Sequence, residues 1–116
     1  MIFVKIKNNL YPAIVNGRMV DENWDNRESK SITLEMDYIT AATTFVDDVP
    51  WSIVQQDEIP IYDENGTQID TELQEVVFDN NEFSLAGDIT DHRDGTITAK
   101  MGKFTNEEYL LMEVLA

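Results

Sequence analysis

Ile2, Val4 and Ile6 alternate with Phe3, Lys5 and Lys7 at the start of the chain, a period of two that puts successive side chains on opposite faces of a strand. Asn8-Asn9 tolerates positive φ, and Leu10, Pro12 and Ile14 resume the alternation, so the opening predicts a β-hairpin. Asn16-Gly17 reads as the close of the second strand. Pro12, with no N–H to give to a ladder, places that strand at a sheet edge. Residues 21–29 form a polar loop holding one large aromatic, Trp24. Beyond it Ile32, Leu34 and Met36 face one way and Ser31, Thr33 and Glu35 the other, as in a half-buried strand.

The period then changes. Tyr38, Ile39, Ala42, Phe45 and Val46 fall three and four apart, which predicts a helix over 38–46 with Asp37 as its N-cap. Asp47-Asp48 is electrostatically poor at a helix C-terminus, and Pro50 prevents continuation. Trp51 to Gln56 predicts a strand, extended by Ile59 to Tyr62. Asp63-Glu64-Asn65-Gly66 turns the chain into a strand over 68–78, and Asp79-Asn80-Asn81 turns it again. Phe83, Leu85, Gly87 and Ile89 alternate with polar or small residues, and Asp91 to Gly95 is the strongest hairpin signal, with Ile97, Ala99 and Met101 returning. Thr105-Asn106-Glu107-Glu108 is a capping box that starts a short helix, with Tyr109, Leu110, Met112 and Leu115 available for burial. The expectation is one mainly β (α+β) domain over 1–116. It is an antiparallel β-meander of about seven strands with two short helices, arranged as a sandwich or partly open barrel.

Charge sharpens this outline. Eight basic residues stand against 23 acidic ones, and the excess is uneven. Between Ser31 and His92 there are 15 acidic residues and no Lys or Arg, so that stretch carries the whole net charge of −15. Such a surface repels phosphates and anionic headgroups, which argues against direct contact with nucleic acid or membrane. No apolar run approaches the ~20 residues of a membrane span. The first residues lack the pattern of a secretory signal and the chain has no cysteine, so a cytosolic origin is the expectation.

Candidate chemistry is sparse. The five glycines are scattered, and there is neither a nucleophile elbow nor a His-Glu-x-x-His pair. His92, the one histidine, sits among Asp91, Arg93 and Asp94 at a hairpin tip, where a solvated turn residue outweighs a proton shuttle or metal ligand. Asp63-Glu64-Asn65-Gly66 has its glycine fourth, where a calcium loop needs it sixth, and turn chemistry explains that cluster and Asp88, Asp91 and Asp94 better. These readings predict no enzyme, cofactor or metal. Tyr11, Trp24 and Trp51 are candidates for sugar or protein contact, and for Trp51 core packing is the better reading. Trp24, in wholly polar surroundings, reads equally as an interface anchor or as a side chain folded onto its own core. Arg27, three residues on, reads as a local ion pair with Asp25, Glu22 or Glu28. Trp24, Arg27 and Tyr11 form the candidate interaction set.

Three tracts resemble a family of short uncharacterised proteins encoded in prophages of Gram-positive bacteria. They are Phe3 to Ala13, Trp24 to Lys30 with Ile32-Thr33-Leu34 and then Phe45 and Trp51 to Val54, and Ala86 to Thr96 running on to Lys100-Met101-Gly102-Lys103. Residues 57–80 have no counterpart in that resemblance, as for a hairpin of variable length. The setting of the family implies a tail or virion-associated role, and the opening pattern is similar to the start of distal-tail proteins. The resemblance implies a phage structural or assembly protein, found in the host cytoplasm during assembly and then in the virion. Its partners would be other phage structural proteins or further copies of itself in a ring. The hairpins at 3–15 and 83–101 are its candidate contact elements, and the acidic centre would dock a basic partner. The alternative is an acidic DNA-mimic decoy that blocks a host nuclease or restriction factor.

Overall fold

The computed structural model describes residues 1–115, with side chains described through Val114, so the burial expected of Leu115 lies outside the described residues. Seven antiparallel strands and two helices follow one another as β1 (Ile2–Ile6), β2 (Asn9–Asp21), β3 (Arg27–Glu35), α1 (Tyr38–Thr44), β4 (Trp51–Tyr62), β5 (Gln68–Asp79), β6 (Leu85–Asp91), β7 (Thr96–Gly102) and α2 (Asn106–Leu115). The strands form one open sheet in the order β5-β4-β1-β2-β3-β7-β6. The expected mainly β class, strand number and helix number are all present.

Strand β2 is the pivot. Its residues Asn9 to Pro12 pair with β1, and its residues Ala13 to Asp21 pair with β3. The sheet therefore forks along β2 into two halves that share it. Here the expectation of an edge strand ending near Asn16-Gly17 is corrected. The strand is central and runs to Asp21, with Asn16-Gly17 inside it. Pro12 is tolerated because it falls at the handover, the last residue paired to β1 and just before the pairing with β3 begins. The opening turn also sits one residue earlier than the asparagine pair suggests, with positive φ at Lys7 and Asn8.

Both halves supply one core. Val4, Ile6 and Trp51 come from the first half, and Ile32, Leu34, Ile97, Ala99 and Met101 from the second, all buried. Tyr11, Ala13 and Val15 of the shared strand pack against them. Ala41 and Phe45 of the α1 region, Val49 and Phe83 complete the cluster. Trp51 anchors the join, because its Nε1 donates to the Phe83 carbonyl at 3.0 Å and its ring meets Phe83 edge-on at 6.4 Å between centroids. Full burial of such side chains contributes about 1.5–3 kcal/mol each.

Helix α1 begins as expected, with the Asp37 carboxylate accepting from Thr40 N at 2.7 Å. Its buried face is different. Ala41, Thr44 and Phe45 point inward, whereas Tyr38, Ile39, Ala42 and Val46 are exposed. The helix is only seven residues long, so its docking against β6 and β7, not its own apolar periodicity, sets which side is covered. The acidic pair after it has a structural use. Asp47 Oδ1 accepts from Ala86 N at 2.8 Å, and Asp48 N donates to the Ser84 carbonyl at 2.7 Å, so this loop ties down the edge of β6.

Candidate functional site

Two of the three sequence candidates, Trp24 and Arg27, meet on the outer face of β3, β7 and β6, opposite the core. Pairing puts Ser29 beside Gly102, and the loop after Asp21 folds back across that face. A Cβ built on Gly102 would lie 2.7 Å from the Trp24 ring and 2.8 Å from Arg27 Cδ, and one on Gly87 would lie 2.8 Å from Trp24. The two glycines make the floor on which the indole rests, and only glycine leaves that space. Trp24 is thus half-buried on its own sheet. Arg27 lies over it, its Cζ 5.1 Å from the ring centroid, and is 5% exposed.

Arg27 has more partners than the expected local pair. Asp25 stands 3.6 Å away, as the sequence suggests, but Glu108 meets the guanidinium at 2.7 and 3.3 Å, and the Lys103 and Trp24 carbonyls accept from it at 2.9 and 3.2 Å. The Arg27 guanidinium holds the Glu108 carboxyl below its ordinary range, aided by the Thr105 N–H. Glu108 also closes the expected capping box, accepting from Thr105 N at 2.8 Å while its own N–H donates to Thr105 Oγ1 at 3.2 Å. One carboxylate therefore starts α2 and ties it to the body.

Asp21, which carried no signal in the sequence, is the buried charge of this face. Its Oδ2 accepts from Lys100 Nζ at 2.7 Å and from Ser29 Oγ at 2.9 Å, and its Oδ1 accepts from Asn23 N at 3.1 Å. The Lys100 hydrogen bond, then that of Ser29, lowers its pKa to about 2, against the opposing effect of burial. Nearby, Lys103 is held protonated above its ordinary range by Glu28, 3.1 Å away. An open groove of about 1140 Å³ between this loop and α2 is lined by these paired groups. Five carboxylates line it, Asp25, Glu28, Glu82, Glu107 and Glu108, against two cations, Arg27 and Lys103. Tyr11 packs against the core from β2. All three candidate residues are engaged within the chain.

The acid clusters act as turn caps. Asp63 Oδ1 accepts from Asn65 N and Thr67 N at 2.9 and 3.0 Å. Asp91 Oδ1 accepts from Arg93 N at 2.9 Å. Asp94 accepts from the Thr96 hydroxyl and N–H at 2.6 and 2.9 Å, which lowers its pKa. Exposed His92 meets Thr98 Oγ1 at 2.7 Å through Nε2. Among the described residues no three His, Asp or Glu side chains gather as a metal-binding group.

A different region stands open. Strand β4 pairs with β1 only from Trp51 to Gln55, yet continues beside β5 to Tyr62. From Asp57 outward the two strands pair only with each other, and at ~3.3 Å per residue they project about 20 Å from the sheet. The molecule measures 65 × 36 × 26 Å. Every residue of β5 is exposed. The base is held by the cross-strand pairs Ile53–Phe78 and Val54–Val77 and by the terminal amine, which donates to the Gln56 carbonyl at 2.8 Å. Ile59, Ile61, Leu73, Val76, Val77 and Phe78 are all at least 37% exposed. Register distributes apolar and acidic side chains over both faces, Asp57, Ile59 and Val76 on one and Glu58, Leu73 and Glu75 on the other. Between Trp51 and Asp79 there are eight acids and no Lys, Arg or His. Among the described residues, none of the acids from Glu58 to Asp79 has an ion-pair partner within 4.0 Å. Ribbon alternation thus leaves on both faces what a sheet normally buries on one.

A second apolar element also lies open. Leu110, Leu111, Met112 and Val114 of α2 are exposed, the last by 80%. Fold and surface together describe a one-sheet β protein with apolar side chains left open on the ribbon and on α2. No family model, curated protein or solved structure matches the chain.

Proposed function

We propose that this chain is a structural or assembly protein of a bacteriophage, associated with the tail or virion, and that it works by protein–protein contacts. The supporting observation is the β4–β5 ribbon. A two-stranded ribbon with large apolar side chains on both faces is marginal in water and gains stability when a partner covers it. The exposed apolar side of α2 supports the same reading at the other end of the chain. The two hairpins marked by the sequence are built into the body, so contact falls to the hairpin outside the prophage resemblance.

Mass spectrometry of particles purified from an induced lysogen carrying this gene, washed in high salt, tests the proposal. Peptides at several copies per particle are expected. Particles and assembly intermediates without the chain, from a lysate that contains it, would defeat the tail or virion role.

The unpaired acids of the ribbon support a second reading, a DNA-mimic decoy for a host nuclease or restriction factor. Carboxylates would stand where phosphates sit. Such a protein inhibits a basic nuclease at low salt and releases it steeply as salt rises. A tail subunit stays in the particle under the same wash.

A further inference from the structure

The two edges of the sheet are treated differently. Edge strand β6 is tied by Asp47 to Ala86 N, with Asp48 fixing the Ser84 carbonyl just before it. Edge strand β5 runs for 12 residues with nothing beside it. It carries no Pro and no Lys, and its register with β4 is unbroken from Ser52–Asp79 to Ile61–Asp70. Proline, lysine and a bulge along the strand are devices that natural edge strands use to discourage pairing; β5 has none of these between Asp70 and Asp79 and is guarded by its acids alone.

Its hydrogen-bonding sense follows from one bond at the base. Asn80 N donates to the Trp51 carbonyl, so the Trp51–Asn80 pair is a hydrogen-bonded one, and such pairs alternate along an antiparallel ladder. Phe78, Val76, Gln74 and Glu72 therefore bond inward to β4. Val77, Glu75, Leu73 and Thr71 turn their N–H and C=O groups outward.

We propose that this edge accepts an added antiparallel strand from another protein, an extended segment in which cationic and apolar residues alternate. The inference deepens the assembly reading above and rests on it. An added strand satisfies the four outward backbone positions, and its side chains meet Leu73, Val76 and Val77 on the flanking faces. Charge selects the occupant. The strand the incoming chain would lie beside carries four acids, Asp70, Glu72, Glu75 and Asp79, none with an ion-pair partner among the described residues, so Lys or Arg at alternate positions is attracted. A second copy of β5 is repelled, because it brings the same acids, and outward positions pair only with outward ones, so pairing centred on Glu75 sets that carboxylate opposite its own copy.

The test uses the whole protein and a nine-residue peptide of alternating lysine and valine, with hydrogen exchange read residue by residue. Binding is expected to protect the amides of Thr71, Leu73, Glu75 and Val77. Affinity is expected to fall at least tenfold in Leu73→Pro, which removes one outward donor and no charge, and to fall far less in Leu73→Ala. Should Leu73→Pro fail to fold, the same peptide methylated at every backbone nitrogen, tried on the unaltered protein, replaces that arm with the same expected loss. Equal affinity in either arm would mean bare attraction between opposite charges and would overturn the proposal. So would absence of protection along β5, or a dimer of this chain by sedimentation that Leu73→Pro abolishes. None of these outcomes depends on finding the chain in particles, so failure here and failure of the assembly reading are separable.

Discussion

The loop over the outer face and the β4–β5 ribbon are both polar, acidic tracts carrying large apolar side chains, yet the fold treats them oppositely. In the loop, every conspicuous group finds a partner far along the chain. Arg27 meets Glu108, 81 residues away, Asp21 meets Lys100, 79 away, and Trp24 lies on Gly87 and Gly102. In the ribbon, among the described residues, the acids from Glu58 to Asp79 have no ion-pair partner, because none of the eight Lys and Arg lies in that stretch, and no strand but β4 lies beside β5. The difference teaches that an acidic tract keeps its charge open only where the fold brings it no counter-charges. Stability should accordingly reside in the body and association in the ribbon.

The largest expected effect is at the join beneath the ribbon. Trp51→Ala removes a 1% exposed indole and its bond to Phe83 and should lower stability by about 3–5 kcal/mol, read from the urea midpoint. Next, Gly102→Val drives a side chain into Trp24 and Arg27 and should cost about 1–3 kcal/mol, with a change in Trp24 fluorescence. Gly17→Val is its control, since a Cβ there meets nothing within 4 Å, and should stay within about 0.5 kcal/mol.

Acid should find Asp21. Its pKa is about 2 in the folded protein against an ordinary 3.8, so the unfolded chain binds the proton more readily. The stabilisation is complete above pH 3.8 and is lost as pH falls through 2. Asp21→Asn should be less stable than the native protein at neutral pH, and the gap should narrow across that window in urea titrations.

The smallest expected effect concerns the ribbon. Replacing residues 58–73 with Asn-Gly, so that the hydrogen-bonded pair Asp57–Gln74 closes the turn, should shift stability by no more than about 1 kcal/mol. It should also abolish capture of the lysine–valine peptide. A large loss of stability would show that the ribbon belongs to the body and would dissolve the contrast.

Much of the outline follows from the residues alone, because strand period, turn chemistry and caps are local. Alternation from Ile2, the Asp63 to Gly66 and Asp91 to Gly95 turns, the Asp37 cap and the Thr105–Glu108 box each depend on groups within a few residues of one another. What lay beyond the sequence was every decision that needs a neighbour from elsewhere. Tertiary structure chose the inward face of α1, carried β2 past Gly17 into the middle of the sheet, and gave Asp47 an edge to hold. It also made Trp24 and Arg27 internal, through two glycines and a glutamate far away in the chain. The alternation of β5 predicts a strand equally well buried or exposed. Only the register shows that β1 stops pairing at Gln55, which leaves the ribbon's apolar and acidic side chains without cover.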